Sequence, residues 1–189
     1  MKVIVIDEEI ALFEDLEAKL EQIPEISEIN FFHTEENALK WFEKKVEKDK
    51  DKRIKVRCFG NFEVFADEEP MKFRYGKSKE LLAYLIDRNG ALCDINTLCA
   101  VLWEEKEDSL GLKSMLRHLI ADLHAALTSY DGEDILVKHR GSVAILADKV
   151  ECDYYEWLKG NELVESPYQG EYMSQYSWAE TTAGNLTFY

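Results

Sequence analysis

Four polar side chains, Lys113, Ser114, Arg117 and His118, gather on one side of a stretch whose apolar residues keep helical spacing. Held together on a rigid helix, a guanidinium or ammonium reaches guanine O6 and N7. Serine and imidazole reach base edges or phosphate oxygens. A second basic group, Lys138, His139 and Arg140, stands just before Gly141 between two β-rich runs. Cations at such a tip can enter a minor groove or meet phosphates, and they equally suit a solvated turn. A third group, Arg74, Lys77 and Lys79, collects at the start of another helical stretch. Lys77 and Lys79 oppose the positive end of that helix, a cost that a nearby phosphate relieves; plain solvation fits them as well. Singly, Lys113, Ser114, Arg117 and His118 are ordinary polar residues of an amphipathic helix; the chemistry the three groups would suit together is nucleic-acid recognition. No enzyme activity and no cofactor are expected, because no G-x-S-x-G, Walker loop, zinc-protease pair or glycine-rich dinucleotide fingerprint occurs. His118 and His124 are six apart and lie on different helical faces, so they do not clamp a metal together. His33, after two phenylalanines, reads as structural.

The elements that must carry these groups form one continuous plan. In KSKELLAYLIDRNG, Leu81, Leu82, Leu85 and Ile86 share a helical face, and Asn89-Gly90 stops the helix. In DINTLCAVLW, Asp94 is the expected N-cap and Leu98, Val101 and Leu102 the buried stripe. A longer helix follows, in which Leu112, Leu116, Leu119, Ile120, Leu123 and Leu127 turn inward. Its second half offers less to DNA, with His124 and the unhelpful acid Asp122. ILVKHRGSVAIL then reads as a hairpin, with Gly141 free to take positive φ. Helix, turn, helix, long helix, hairpin is the order of a winged helix, in which one helix lies in the major groove of DNA.

Charge argues the other way at first, since the 189 residues carry a net −15. The acidity is unevenly placed: 8 basic against 15 acidic residues over 1–52, 14 against 16 over 53–150, and 1 against 7 over 151–189. The stretch that carries the helices and hairpin is nearly neutral, so long-range repulsion of DNA comes mainly from its flanks.

Those flanks have structure of their own. Val3 to Ile6 form the apolar run of a buried parallel strand. Leu12, Leu16, Leu20 and Ile23 mark a helix ended by Pro24. Ile26 to Phe32 reads as a second strand, and Thr34 caps a second helix carrying Ala38, Leu39 and Phe42. KKVEKDKDKR then carries Val46 as its one apolar residue; it could extend the second helix, and a solvated linker is the expected reading. After the hairpin, a helix begun by Asp153 and a turn at Ser166-Pro167 lead to a tail with Tyr168, Tyr172, Tyr176, Trp178, Phe188 and Tyr189. So many aromatics predict a tail packed on the central domain. The four cysteines, Cys58, Cys93, Cys99 and Cys152, show no CxxC spacing and read as buried reduced thiols, which suits the cytoplasm. No apolar run is long enough to span a membrane. The expected layout is therefore an α/β half (β-α-β-α) over 1–46, a charged linker at 47–53, an α+β winged-helix domain over 54–150, and a short helical tail over 151–189.

Residues 54–178 resemble the winged-helix activators of the antibiotic regulatory protein type, a branch of the OmpR-like DNA-binding fold. The likeness rests on IKVRCFGNFEVF as the opening sheet, SKELLAYLIDRNG as the first helix and the tryptophan of AVLWEE closing the second. KSMLRHLIADLHAAL then resembles the recognition helix, ILVKHRGSVAIL the wing, and YQGEY with WAE the opening of a helical activator region. The N-terminal VIVIDEE and FFHTEENALKWF resemble the first half of a response-regulator receiver. There Asp7 and Glu8 stand at the acidic pair that holds Mg²⁺ in receivers; two carboxylates alone bind Mg²⁺ weakly, so no metal is expected and the pair reads equally as a solvated strand end. The phospho-acceptor strand, the switch residue and the later lysine have no counterparts, so phosphorelay chemistry is not expected. The resemblance implies a transcription regulator, an activator, with double-stranded DNA as partner. It also implies an RNA polymerase contact through the loop of Glu104, Glu105, Lys106, Glu107 and Asp108. The alternative is an acidic protein-interaction module that keeps the fold without DNA affinity.

Overall fold

The computed structural model describes residues 2–7, 16, 18–20, 22–23, 26, 28–50, 54–104, 110–160 and 168–186. It is a mixed α/β arrangement with three sheets among the described residues. Strands β1 (Lys2–Ile6) and β2 (Glu28–Phe32) pair in parallel, Lys2 beside Glu28 and Ile6 beside Phe32. Thr34 caps the next helix through its Oγ1, which accepts from Asn37 N–H at 3.2 Å. That helix, α1, runs Glu35–Lys50.

Three expectations for this half need correction. Residues 47–50 are helical, not linker, because nothing between Trp41 and Lys50 breaks a helix and glutamate and lysine favour one. Leu39 and Phe42 do not join Ala38 in a core: Leu39 is 60% and Phe42 44% exposed, while Ala38 is buried. Trp41, three residues on from Ala38 and on the same face, packs on Phe32 at 5.5 Å in their place. The strand residues are only half-buried and Ile6 is exposed, because among the described residues little apolar surface covers this two-stranded sheet. Leu16 and Leu20 are helical, whereas Leu12, Pro24 and the Ser166-Pro167 turn fall outside the described residues.

Among the described residues, the main cluster of buried apolar side chains lies within 54–186. Strands β3 (Ile54–Arg57), β4 (Glu63–Ala66) and β5 (Glu69–Pro70) are antiparallel, with alternate residues of β3 and β4 turned inward. Asp67 and Glu68 join β4 to β5 with φ of 48° and 66°. Both residues of this two-residue turn are left-handed, a conformation suited to Asn-Gly rather than to two acids. Glu68→Gly is accordingly expected to raise stability by about 0.5–1 kcal/mol, read as a higher urea midpoint with unchanged slope. A lower midpoint would show that the carboxylate itself stabilises the turn.

Helices α2 (Gly76–Asp87), α3 (Ile95–Leu102) and α4 (Leu110–Thr128) pack on one another. The expected inward residues of α2 and α4 are all buried, from Leu81 through Ile86 and from Leu112 through Leu127. Asn89 (φ 46°) and Gly90 (φ 83°) end the first of these helices, as their residue types predict. Asp94 caps the second, accepting from the N–H groups of Asn96 at 2.9 Å and Thr97 at 3.1 Å. Hydrogen bonds from Thr97 hold its carboxyl below the usual range. Val101 is only half-buried; Cys99 takes its place in the stripe beside Leu98 and Leu102.

Strands β7 (Leu136–His139) and β8 (Ser142–Ile145) form a hairpin whose two-residue turn is Arg140-Gly141, with Gly141 at φ 80°. A short β6 (Cys93–Asp94) pairs with the other side of β8. The chain then returns to the first sheet, where β9 (Val150–Cys152) lies parallel to β3. A short α5 (Asp153–Leu158) follows at once, and the tail ends in α6 (Glu180–Leu186). Among the described residues, no helix is long and apolar enough to cross a membrane.

Candidate nucleic-acid interface

Helix α4 supplies the centre of the site. Its six buried leucine and isoleucine residues fix the rotation of the helix. Ser114, Arg117 and His118 are thereby exposed on the far side. Lys113 is half-buried and engaged with neighbouring groups. Between Ser114 and the end of the helix, the outward face carries Ala121 and Ala125, both exposed. Sequence reasoning missed these two. Small residues there let a flat or grooved partner approach the helix backbone closely, and an alanine's chemistry gives no signal of that role.

Asp122, by type an acid that would weaken this surface, has a different role in the fold. Ser78 Oγ, fully buried on α2, donates to Asp122 Oδ2 at 2.6 Å. The carboxylate ties α2 to α4 and keeps its charge, and Asp122 also lines the groove that Arg74 and His118 border.

The cluster at the start of α2 is divided. The Arg74 guanidinium lies over the Tyr75 ring, 5.2 Å from its centroid. Arg74, Tyr75 and Lys77 line one wall of a groove of about 930 Å³, and Met115, His118 and Leu119 line the opposite wall. Arg74 and His118 therefore border one groove, beside the exposed Met115. Lys77 also borders it, but its ammonium donates to Leu102 O at 2.6 Å and pairs with Glu80 at 2.8 Å. Its main work is satisfying a carbonyl at the end of α3. Lys79 does not line the groove; its ammonium stands 5.9 Å from the Phe62 ring centroid.

At the hairpin, Lys138, His139 and Arg140 are all exposed. The register places Lys138 and His139 in the last pairs of β7 and leaves Arg140 as the tip residue beside Gly141. Glu104 is exposed and accepts a hydrogen bond from Ser177 Oγ at 3.2 Å, which brings the tail to the end of α3. Glu105, Lys106, Glu107 and Asp108 lie outside the described residues, as does Glu8, the partner of Asp7 in the expected acidic pair. Asp7 itself closes β1, its N–H donating to Phe32 O at 3.1 Å.

The fold is similar to that of EmbR from Mycobacterium tuberculosis. That protein was solved in complex with a low affinity phosphopeptide, and the superposition gives a TM-score of 0.53 at 16% sequence identity. It covers 72% of this chain and 42% of the EmbR chain, so the present chain spans less than half of EmbR's length. At that identity the likeness to EmbR is one of fold. No protein-family model matches the chain, and no curated protein does.

Proposed function

We propose that this chain is a non-enzymatic DNA-binding transcription regulator, an activator, in which residues 54–150 act as a winged helix. Helix α4 lies in the major groove, with Arg117 on a guanine edge and Ser114 and His118 on neighbouring edges or phosphates. The hairpin brings Lys138, His139 and Arg140 to the adjacent backbone or minor groove. Arg74 follows the same phosphate strand from across the groove. The observation that carries this reading is the outward face of α4. It is polar and cationic at Ser114, Arg117 and His118, then small at Ala121 and Ala125, on a helix whose opposite face is locked into the core. The similarity in fold to EmbR supports it. Contact with RNA polymerase through the loop beginning at Glu104 belongs to the same reading, as does a cytoplasmic location for the chain.

The test is binding of the full chain to duplex DNA by fluorescence anisotropy across a salt series, followed by selection of a preferred site. Affinity should fall steeply with salt, because phosphate contacts release counterions. On the selected duplex, Arg117→Ala is expected to cost about 1–3 kcal/mol. Lys138→Ala should weaken all duplexes alike and reduce the salt slope by about one. Absence of binding even at low salt would end the proposal, and an unchanged affinity for Arg117→Ala would remove α4 as the reading helix. The alternative, a protein-interaction module, would bind through the tail aromatics or through the N-terminal half. Tail aromatics such as Tyr172 and Trp178 pack on the body of the protein and are not offered to a partner. The exposed Ile6, Leu39 and Phe42 of the N-terminal half still present apolar surface.

A further inference from the structure

Away from the proposed DNA surface, the structure buries two nucleophiles side by side. Cys58 directly follows β3 and Cys152 ends β9; they are 0% and 2% exposed. Their Sγ atoms are 3.5 Å apart, and both thiols are free. The two positions are 94 residues apart in sequence, and the chain between them carries α2, α3, α4 and the hairpin. Asp153 adds a third acidic group, the three ligand atoms lying within 4.8 Å of one another. Such a trio suggests a soft metal ion. The Asp153 oxygens, however, already accept backbone N–H groups from Cys58, Phe59 and Tyr154. Two sulfurs are left, short of the tetrahedral donor set that a structural zinc takes. The chemistry open to the two thiols is with each other.

We propose that Cys58 and Cys152 are a disulfide-forming pair, which a hydroperoxide closes into a clasp joining the first strand of the main body to its last. The balance is simple. One thiolate attacks the peroxide oxygen and becomes a sulfenic acid, releasing water when the oxidant is hydrogen peroxide. The second thiol displaces the hydroxyl as a second water and forms the S–S bond. Two thiols have then lost two protons and two electrons, and the peroxide has gained them. Burial sets the pace. It raises the Cys58 thiol well above its ordinary range, and neighbouring Cys152 and Asp153 push it the same way, so thiolate is scarce. Oxidation of the folded chain is therefore slow at neutral pH and accelerates steadily into the alkaline range. The tail lies over the site, since Met173 N–H donates to Cys58 O at 2.8 Å and Tyr172 bridges to Phe59. The inference does not depend on DNA binding, and its readout is covalent.

The experiment treats the full folded chain with hydrogen peroxide, then alkylates it in denaturant and maps the peptides by mass spectrometry. The expected product has lost about 2 Da, links the peptides of Cys58 and Cys152, is released by dithiothreitol, and leaves Cys93 and Cys99 open to alkylation. Its melting temperature should rise by about 10 °C, because cross-linking so long a loop restricts the unfolded chain. Cys152→Ala should abolish the linked species; the wild-type map decides the matter even if that variant folds poorly. Four alkylatable thiols in the treated folded chain, with linkage only after unfolding in urea, would reduce the contact to packing and overturn the proposal. Linkage through Cys93 or Cys99 would overturn it equally.

Discussion

Cutting the chain back to Gly160 is expected to cost at least about 5 kcal/mol, which is most or all of the stability of an ordinary domain. The reason is that the tail completes the core. Tyr172, Met173, Ala179 and Leu186 are each less than 5% exposed, and burying a large apolar side chain contributes about 1.5–3 kcal/mol. The tail also satisfies groups that the body leaves open. Met173 N–H donates to Cys58 O, Gly60 N–H to Glu171 O, and Gln175 exchanges two hydrogen bonds with the backbone of Phe62. Burial holds the Tyr172 phenol far above its usual range, so it stays protonated and donates to Asp87 at 2.9 Å. Tyr176 is likewise pushed up to about 12, and Trp178 stacks on it at 5.3 Å while meeting Tyr84 edge-on. Removing these groups would expose the fully buried Phe62 and Cys58 to water. Thermal melts followed by circular dichroism should show a loss of cooperative unfolding, or a melting temperature lower by more than about 15 °C. An unchanged melt would show that 54–160 is self-sufficient and that the tail is an attachment.

That the aromatic tail would pack is legible in its composition, and so is most of α2, α3 and α4. A helical period leaves one answer for which way Leu116 or Leu123 must point, and Asp94 ahead of Ile95 has few uses other than a cap. Partners distant in sequence are not legible. Lys77 suits a phosphate by type and place, and nothing near it says that its acceptor is Leu102 O, 25 residues on. Asp122 looks like an unhelpful acid because Ser78 lies 44 residues before it. The basic groups stand out by type, yet only their neighbours divide them: Arg74 and His118 meet across one groove, and Lys79 faces Phe62. The aromatic and apolar walls of that groove, from Tyr75 to Met115, give no signal because an exposed methionine on an amphipathic helix looks the same as a core one. In the N-terminal half the period itself misleads. Ala38, Leu39 and Phe42 suggest a stripe, but Trp41 outcompetes Leu39 for the sheet by its size and its angle on the helix.

Asp153→Ala is expected to lower stability by about 3 kcal/mol. Its residue type and position suggest only the ordinary role of starting a helix. Its carboxylate does more, because β9 lies parallel to β3 and leads straight into α5. Asp153 Oδ1 accepts from Cys58 N–H at 2.8 Å and from Tyr154 N–H at 2.8 Å, and Oδ2 accepts from Phe59 N–H at 3.1 Å. The backbone of 58 and 59 leaves the β3–β4 ladder at this point, so these N–H groups have no strand partner. Alanine would leave two of them buried and unmet, each costing about 1–3 kcal/mol, while water can reach Tyr154 N–H at the helix start. Two opposing influences act on the carboxyl: burial raises it, the N–H donors lower it, and burial prevails. The folded state therefore holds the Asp153 proton more tightly than the unfolded chain does. Its titration adds stability that is fully present below the ordinary carboxylate range and is lost as pH rises through the elevated folded value. The gap between wild type and Asp153→Ala should thus be wider in acid than at neutral pH. Asp153→Asn should fall between them, since one amide oxygen can still accept from Cys58 while its NH₂ opposes Phe59 N–H. Urea unfolding of the three proteins at pH 3.5 and pH 7 measures this directly. An alanine variant within about 0.5 kcal/mol of wild type at both values would mean that water serves these N–H groups as well as the carboxylate does.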